Sequence, residues 1–302
     1  MGKSEMKRCF LAGSATMLGL LLSGCGGGGG GGVASMPPPT YTKLADLTGD
    51  RTFQSAGIHF VYGNNQVSGE SIHKFGAGVT IAYNPTSDSY TLTAPDGATD
   101  TFSSSTSVFP VGYTPPANAT VLFNNTGSHL TIPTLSASGL TFSYLALDYW
   151  THIQAGVESI YHTVSGVPTL ARDMPRSGIA TYRAGIAGTV FQGALPTYST
   201  QTGSSATFSA DFGAGSVTTT IHLVAAQPNA SAVDFGSYSG NGSIASGGPG
   251  FSGQLASAPG NAISATGEFS GAFFGPQAQE MGYGWYWKGS GISAQGVVVG
   301  TK

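Results

Sequence analysis

The sequence is poor in charge and in cysteine. Asp, Glu, Lys and Arg make up 8% of the 302 residues, and the formal net charge at pH 7 is −3. Since Lys and Arg form no cluster in the body of the chain, we expect neither nucleic acid nor anionic lipid headgroups as partners. The two cysteines are Cys9 and Cys25. Cys9 lies in a segment that export would remove, so we expect no disulfide within the mature chain.

Motifs of catalysis and metal binding are missing as well. Beyond residue 24 there is no G-x-S-x-G, P-loop or C-x-x-C motif, and the carboxylates are too scattered to nominate a glycosidase pair. None of the histidines has the spacing of a zinc site. Residues 248–253 match G-x-G-x-x-G, but no helix follows them, so we interpret this stretch as a turn. The motifs therefore nominate no catalytic residue, no metal site and no resident cofactor.

The N-terminus has the layout of an export signal. Three basic residues precede the apolar run 10–22, which is shorter than the roughly 20 residues that cross a bilayer. Leu22, Ser23, Gly24 and Cys25 then resemble the lipobox of bacterial lipoproteins. This resemblance implies removal of residues 1–24 as a lipoprotein signal peptide and acylation of the Cys25 sulfur. A chance match within an ordinary secretory signal is the alternative.

A linker is predicted after the cysteine. Residues 26–32 are seven glycines, and residues 37–39 are three prolines, a composition that cannot form a core. We expect residues 25–40 to be a lipidated cysteine with a Gly/Pro-rich tether. In lipoproteins an Asp after the cysteine favours the inner membrane, so Gly26 favours the outer membrane. Two or more acyl chains would hold the protein to the lipid bilayer lastingly.

The rest of the chain predicts a nearly all-β protein. The 47 glycines have no three-residue period and are spread among Thr, Ser, Tyr and Phe, which is typical of short strands and tight turns. In the first half we predict strands at 79–83, 89–94, 120–123, 140–153 and 158–164. In the second half we predict eight strands at 181–191, 205–212, 216–224, 233–244, 250–257, 262–274, 282–287 and 292–300. Eight antiparallel strands favour a closed barrel, with a β-sandwich as the alternative.

Residues 267–280 read GEFSGAFFGPQAQE and resemble the closing hairpin of the β-barrel domain of transferrin-binding protein B and its lipoprotein relatives. Residues 174–182, MPRSGIATY, resemble that family's entry into the barrel, and ADF at 210–212 and VVVGTK at 297–302 match further parts of it. The resemblance covers residues 171–302. Tyr283 departs from the family, which has a second glycine there. This departure leaves the barrel intact and puts any shared ligand contact at that loop in doubt.

The resemblance implies an all-β fold with an N-terminal handle-like β domain, residues 41–170, followed by an eight-stranded antiparallel β-barrel, residues 171–302. It also implies a non-catalytic lipoprotein on the cell surface, anchored in the outer membrane. Such a protein binds a soluble extracellular protein or a haem-type ligand, as in iron or haem acquisition. A periplasm-facing structural or envelope-assembly lipoprotein is the alternative.

Five residues are candidates for ligand binding. His152 beside Trp150 offers an imidazole with flanking aromatics that would suit haem iron, although ordinary strand packing explains both. Tyr283, Trp285 and Trp287 alternate along one strand and share one face. If that face is exposed it would be a patch for a protein partner. If it points inward it fills the barrel, which we favour because Gly282 and Gly284 would be small neighbours for it.

A hydrolase with an unrecognised site is a further hypothesis. Asp148, His152 and Glu158 are its candidate residues.

Overall fold

Strands dominate the described chain, as the sequence predicts. The computed structural model describes residues 39–63, 66–135, 139–193, 197–289 and 291–302. The predicted signal peptide, Cys25 and the tether up to residue 38 lie outside the described residues. In the described part of the chain the helical turns are two short 3-10 segments, and no helix there has the length and hydropathy to cross a bilayer.

Ten strands precede the predicted barrel. In chain order they are β1 (Arg51–Gln54), β2 (Ala56–Gly63), β3 (Gln66–His73), β4 (Thr80–Asn84), β5 (Ser89–Thr93), β6 (Thr99–Ser103), β7 (Ala119–Phe123), β8 (His129–Pro133), β9 (Leu145–Gln154) and β10 (Val157–Gly166). The sequence predicts β4, β5, β7, β9 and β10 within a few residues. It misses β1, β2, β3, β6 and β8.

Nine strands follow. They are β11 (Ile179–Gln192), β12 (Tyr198–Thr200), β13 (Ser205–Asp211), β14 (Ser216–Ala226), β15 (Val233–Ile244), β16 (Gly250–Ser257), β17 (Thr266–Phe274), β18 (Glu280–Gly289) and β19 (Ile292–Thr301). Apart from the three-residue β12, these are the eight strands that the sequence predicts. The largest difference in bounds is at β17, which begins four residues later than expected.

The eight long strands close into an antiparallel ring. From β13 to β19 each strand pairs with the next, and β11 pairs with β13 on one side and with β19 on the other. The closing ladder runs from Arg183 opposite Thr301 to Gln192 opposite Ile292. Every strand of the ring therefore has two neighbours, which confirms the barrel over the sandwich.

The first half forms two further sheets. One has six strands in the order β3-β2-β10-β9-β8-β7, and the other has four in the order β1-β4-β5-β6. One face of the six-stranded sheet packs on the barrel through residues such as Leu147, Val164, Phe274 and Val297. Its other face packs on the four-stranded sheet through an apolar cluster that includes Trp150. The six-stranded sheet is thus the middle layer of the fold. The domain boundary at residues 170 and 171 stays a prediction.

Aromatic side chains fill the barrel where neighbouring strands carry glycine. Tyr283, Trp285 and Trp287 of β18 are fully buried in the barrel core. Tyr283 lies opposite Gly271 of β17, and Trp285 lies opposite Gly296 of β19. A Cβ at Gly296 would approach the Trp285 ring to 2.8 Å. The inward orientation that the sequence favours is therefore correct, and these three side chains present no surface to a protein partner.

The glycines of β18 itself have a different role from the one we expected. We expected Gly282 and Gly284 to supply the room for the aromatics, but they lie on the outer face of the barrel. A Cβ at Gly284 would lie 2.8 Å from the Cα of Gly57 in β2, and a Cβ at Gly282 would lie 2.6 Å from Leu145. The absence of side chains here lets the backbone of the barrel approach the six-stranded sheet closely.

The 267–280 stretch forms the junction between the barrel and the middle sheet. Glu280 is buried, and its carboxylate accepts hydrogen bonds from the backbone N–H groups of Ser143, Tyr144 and Leu145 at 2.7, 2.9 and 2.9 Å. Burial raises the pKa of Glu280, and the three amide donors oppose that rise. Gly275 has φ of 71° and lies against the Tyr144 ring, so a side chain there would clash. The motif is therefore explained by a contact between layers.

Replacing Glu280 with alanine should destabilise the protein by about 3 kcal/mol or more. Two buried N–H groups and the half-buried one of Ser143 would lose their acceptor, at about 1–3 kcal/mol for each buried group left unpaired. Urea unfolding of the full-length protein measures the difference. Glu268→Ala is the matched control, because this carboxylate on β17 accepts only an exposed bond from Gln254. Equal losses for the two variants would contradict the role given to Glu280.

Candidate ligand-binding surface

The structure gives Trp150 and His152 an internal partner. Both lie on the face of β9 that meets the four-stranded sheet, and both contact the carboxylate of Asp100 in β6. The Trp150 indole N–H donates to Asp100 Oδ2 at 2.9 Å, and His152 Nδ1 lies 2.8 Å from the same oxygen. Trp150 also stacks on Tyr161, with ring centroids 4.7 Å apart. This arrangement is that of a packed polar contact between two sheets, which was the alternative to a haem ligand.

The hydrolase candidates are not brought together. Asp148 accepts a hydrogen bond from the Ser165 hydroxyl at 2.5 Å, whereas His152 pairs with Asp100. Glu158 alternates onto the opposite face of the sheet from these two residues. Residues 248–253 span the β15–β16 turn and the start of β16. In the described part of the chain no group of three His, Cys, Asp or Glu residues is placed to hold a metal ion.

The surface that stands out is the loop between β6 and β7, which no motif of the sequence indicates. Residues 104–118 form this connection, and four of the eight large hydrophobic side chains that are exposed in the described chain lie on it. Val111 is fully exposed and Val108 is 78% exposed, while Phe109 and Tyr113 are about 40% exposed. We call residues 104–118 the apolar loop. Clustered exposed apolar side chains mark interaction sites more often than single ones do.

Aromatic contacts brace the apolar loop from beneath. Phe109 and Tyr113 stack with their centroids 5.7 Å apart, and both pack edge-on against Phe123 of β7. The Phe123 N–H donates to the Ser107 hydroxyl at 2.9 Å, which fastens the start of the loop to the edge of the sheet. The two valines are thus presented on a supported base, so a partner would need to order little of the loop on binding.

A cleft lies next to this base. Phe123 stacks on His129 of β8, and His129 lines a cleft of about 430 Å³ between the six-stranded sheet and β11. Its walls are aromatic and hydroxyl-rich. They include Phe60, Tyr62, His129, Thr131, Tyr149, Thr151, Glu158, His162, Thr189 and Phe191. The apolar loop and the cleft are therefore joined through Phe123 and His129.

This side of the molecule carries little charge. Residues 101–147, which hold the apolar loop and β8, contain no Asp, Glu, Lys or Arg. Burial lowers the pKa of His129, and burial lowers the pKa of His162 to about 4. Both imidazoles are therefore neutral at pH 7. Glu158 is the one carboxylate among the described residues that line the cleft. The surface suits a partner that brings apolar and uncharged polar groups.

Little in the sequence indicates this surface. Val108, Phe109, Val111 and Tyr113 lie among prolines and serines between two predicted strands, where a loop is expected to be polar. The absence of charge over residues 101–147 was the available clue. The exposure of these four side chains depends on the placement of β6 and β7 in two different sheets. Local sequence does not specify that placement.

Comparison with known proteins gives one family match. Residues 174–302 match the family described as the C-lobe and N-lobe β-barrels of Tf-binding protein B. No curated protein matches the chain.

Solved structures with a similar arrangement include transferrin-binding protein B from Haemophilus parasuis Hp5, as a Trp-176-Ala mutant, at 12% identity and a TM-score of 0.43. That match covers 83% of this chain and 75% of the other. Isotype 1 transferrin-binding protein B from serogroup B Neisseria meningitidis is 20% identical, with a TM-score of 0.43. Here 85% of this chain corresponds to 43% of that one, so this chain spans less than half its length. The N-lobe of lactoferrin-binding protein B from Moraxella bovis is 11% identical over 84% of this chain and all of that one, with a TM-score of 0.33.

His162 should titrate far below an ordinary histidine, and its burial should make the protein less stable in acid. Because its pKa is lower in the folded chain than in the unfolded chain, the unfolded state binds the proton more readily. The free energy of unfolding should therefore fall as the pH falls from about 6.5 towards 4. NMR titration of the imidazole Cε1–H measures the midpoint directly.

The control is His162→Phe, which keeps a ring against Phe60 and Tyr149 and removes the titration. It should reduce the pH dependence of unfolding between these limits. A midpoint near 6.5 for His162 in the folded protein would contradict the buried setting.

Proposed function

We propose, from the match of residues 174–302 to the β-barrels of Tf-binding protein B, that this protein is a surface lipoprotein that binds a soluble extracellular protein. We place it in the outer membrane, attached through acylated Cys25. No catalytic step is part of the proposal, since the candidate catalytic residues Asp148, His152 and Glu158 do not meet.

The apolar loop is the observation that supports protein binding most directly. Val108 and Val111 would lose their exposure on binding, at about 25 cal/mol for each Å² of apolar surface removed from water. Phe109 and Tyr113 add aromatic edges of the kind that dominate the energy of protein interfaces. A neighbouring cleft with hydroxyl and imidazole groups would receive a side chain of the partner.

The chemistry of the surface also selects the partner. With no formal charge over residues 101–147, the apolar loop offers a charged ligand no ion pair. The mature chain, after loss of residues 1–24, carries eight Lys and Arg against thirteen Asp and Glu, a net charge of about −5. We therefore propose a protein partner with an apolar, weakly charged patch. Following the family, we propose that the binding serves iron or haem acquisition.

The tether is consistent with an outward-facing role. Residues 26–40 would reach roughly 50 Å when fully extended, at about 3.3–3.6 Å per residue. This length lets an anchored body meet a large soluble partner beyond the membrane surface. The alternative, a periplasm-facing structural lipoprotein, shares the anchor and differs only in the side on which the body lies.

Charged substitutions in the apolar loop should abolish partner binding without unfolding the protein. We expect V108D/V111D to weaken binding at least tenfold, because the two exposed valines would bring uncompensated charges into an apolar interface. The full-length lipidated protein in dodecyl maltoside, immobilised, is exposed to serum or spent growth medium. Bound proteins are identified by mass spectrometry and their affinities measured.

The matched control is Ile179→Asp, which places a charge at a residue 72% exposed at the start of β11. It should leave capture unchanged, and both variants should unfold within about 0.5 kcal/mol of the wild type. A partner retained by V108D/V111D and lost by Ile179→Asp would move the binding surface to the barrel.

Loss of the lipid anchor should release the protein. Cys25→Ser should shift the protein from the membrane fraction to the soluble fraction, because acyl chains supply the attachment. Protease added to intact cells should digest the wild-type body if it faces outward. Full protection on intact cells, with digestion after the outer membrane is opened, would favour the periplasm-facing alternative.

A further inference from the structure

A second cavity lies on the far side of the middle sheet from the barrel. It measures about 320 Å³ and is enclosed by the four-stranded sheet, the six-stranded sheet and the segment that precedes β1. Its walls are mainly apolar and aromatic. They consist of Leu44, Ala45, Leu47, Arg51, Phe53, Ile81, Tyr83, Tyr90, Ile132, Ala146, Asp148 and Ser165. We call this the Asp148 cavity.

Asp148 is the charged group inside it. Its side chain is 4% exposed, and one hydrogen bond reaches its carboxylate from a side chain, that of the Ser165 hydroxyl. Among the described residues no Lys, Arg or His lies within ion-pair distance of it. A buried carboxylate without a cationic partner is expensive to keep ionised, so an added cation beside Asp148 would stabilise its charge.

The neighbouring groups that the structure describes form no ion pair with that charge. Arg51 of β1 lines the cavity and is itself exposed, and the tyrosines Tyr83 of β4 and Tyr90 of β5 are neutral at pH 7. Burial raises the pKa of Tyr90 to about 12 and raises the pKa of Tyr149, next to Asp148 in β9. Burial likewise raises the pKa of Asp148 to about 6, so the carboxylate is ionised above that pH.

The walls are suited to an organic cation. Tyr83 and Tyr90 lie with their centroids 4.7 Å apart, and aromatic faces attract ammonium groups. Phe53, Ile81 and Ile132 supply apolar surface for a hydrocarbon body. A lone carboxylate does not make a metal site, since Mg²⁺ and Ca²⁺ require about six oxygen ligands.

We propose that the Asp148 cavity binds a small organic ammonium ion, with the ammonium group on the Asp148 carboxylate and the hydrocarbon body between Phe53, Ile81 and the two tyrosines. The Ser165 hydroxyl holds the carboxylate in place. Arg51 at the cavity lining repels the cation and limits the affinity. The site lies apart from the apolar loop and is independent of the proposed protein binding.

The test uses cyclohexylammonium chloride as the probe. Full-length protein in dodecyl maltoside is titrated at pH 7.5 by isothermal calorimetry and by backbone amide NMR. Saturable binding is expected, and cyclohexanol and cyclohexanecarboxylate should bind at least tenfold more weakly, because they lack the positive charge. Amides of β1, β4 and β9 should shift on binding.

Two substitutions of opposite expected effect identify the site. Asp148→Asn should weaken cyclohexylammonium at least tenfold while the amide oxygen still accepts from Ser165. Arg51→Gln should strengthen it, since a like charge is removed. Asp211→Asn, at an exposed turn carboxylate of the barrel, is the control and should change nothing.

A pH series gives a second readout that does not depend on the folding of Asp148→Asn. In the wild type the affinity should fall as the pH drops through about 6, where the carboxylate takes up a proton. Ser165→Ala removes the hydrogen bond that favours the ionised form, so its midpoint should move to higher pH. Absence of saturable binding, equal binding of cyclohexanol, or an unchanged pH midpoint in Ser165→Ala would each overturn the proposal.

Discussion

One carboxylate holds the layers of this protein together. Glu280 begins β18 of the barrel, and its two oxygens take three backbone N–H groups where the chain enters β9 of the middle sheet. These donors lie at the start of β9. Because the bonds join residues about 136 positions apart, they fix where the barrel ends against the sheet. The cleft and the apolar loop take their positions from the same sheet.

Glycine placement makes the rest of the contact possible. Inside the barrel, Gly271 and Gly296 leave room for Tyr283 and Trp285, and outside it Gly284 admits the backbone of Gly57. The two sets of glycines lie on opposite faces of the same sheet. The alternation of glycine with aromatics along β18 therefore encodes both a filled interior and a close outer contact. The Tyr283 hydroxyl is buried with its ring and lies 2.6 Å from the Thr219 hydroxyl.

The barrel was predictable and the first half much less so. Strands β13–β19 each pair with the next in sequence, so alternation and turn residues suffice to find them. In the first half β2 pairs with β10, about a hundred residues later, and β1 pairs with β4. Polar strands such as β3 carry no alternating apolar pattern. Likewise the contact of His152 with Asp100 joins two sheets, and the exposure of Val111 depends on how those two sheets are placed. Local sequence predicts neither the contact nor the exposure.

The bond from Phe123 to Ser107 has a consequence for solubility. Each strand in the ring of the barrel pairs with a neighbour on both sides. The six-stranded sheet, in contrast, ends at β3 and β7. An open strand edge is a template on which another chain can add. At β7 the apolar loop occupies the Phe123 N–H and shields this edge with stacked rings. The same fifteen residues that offer a face to a partner thus also cover the β7 edge against pairing with a strand of another copy.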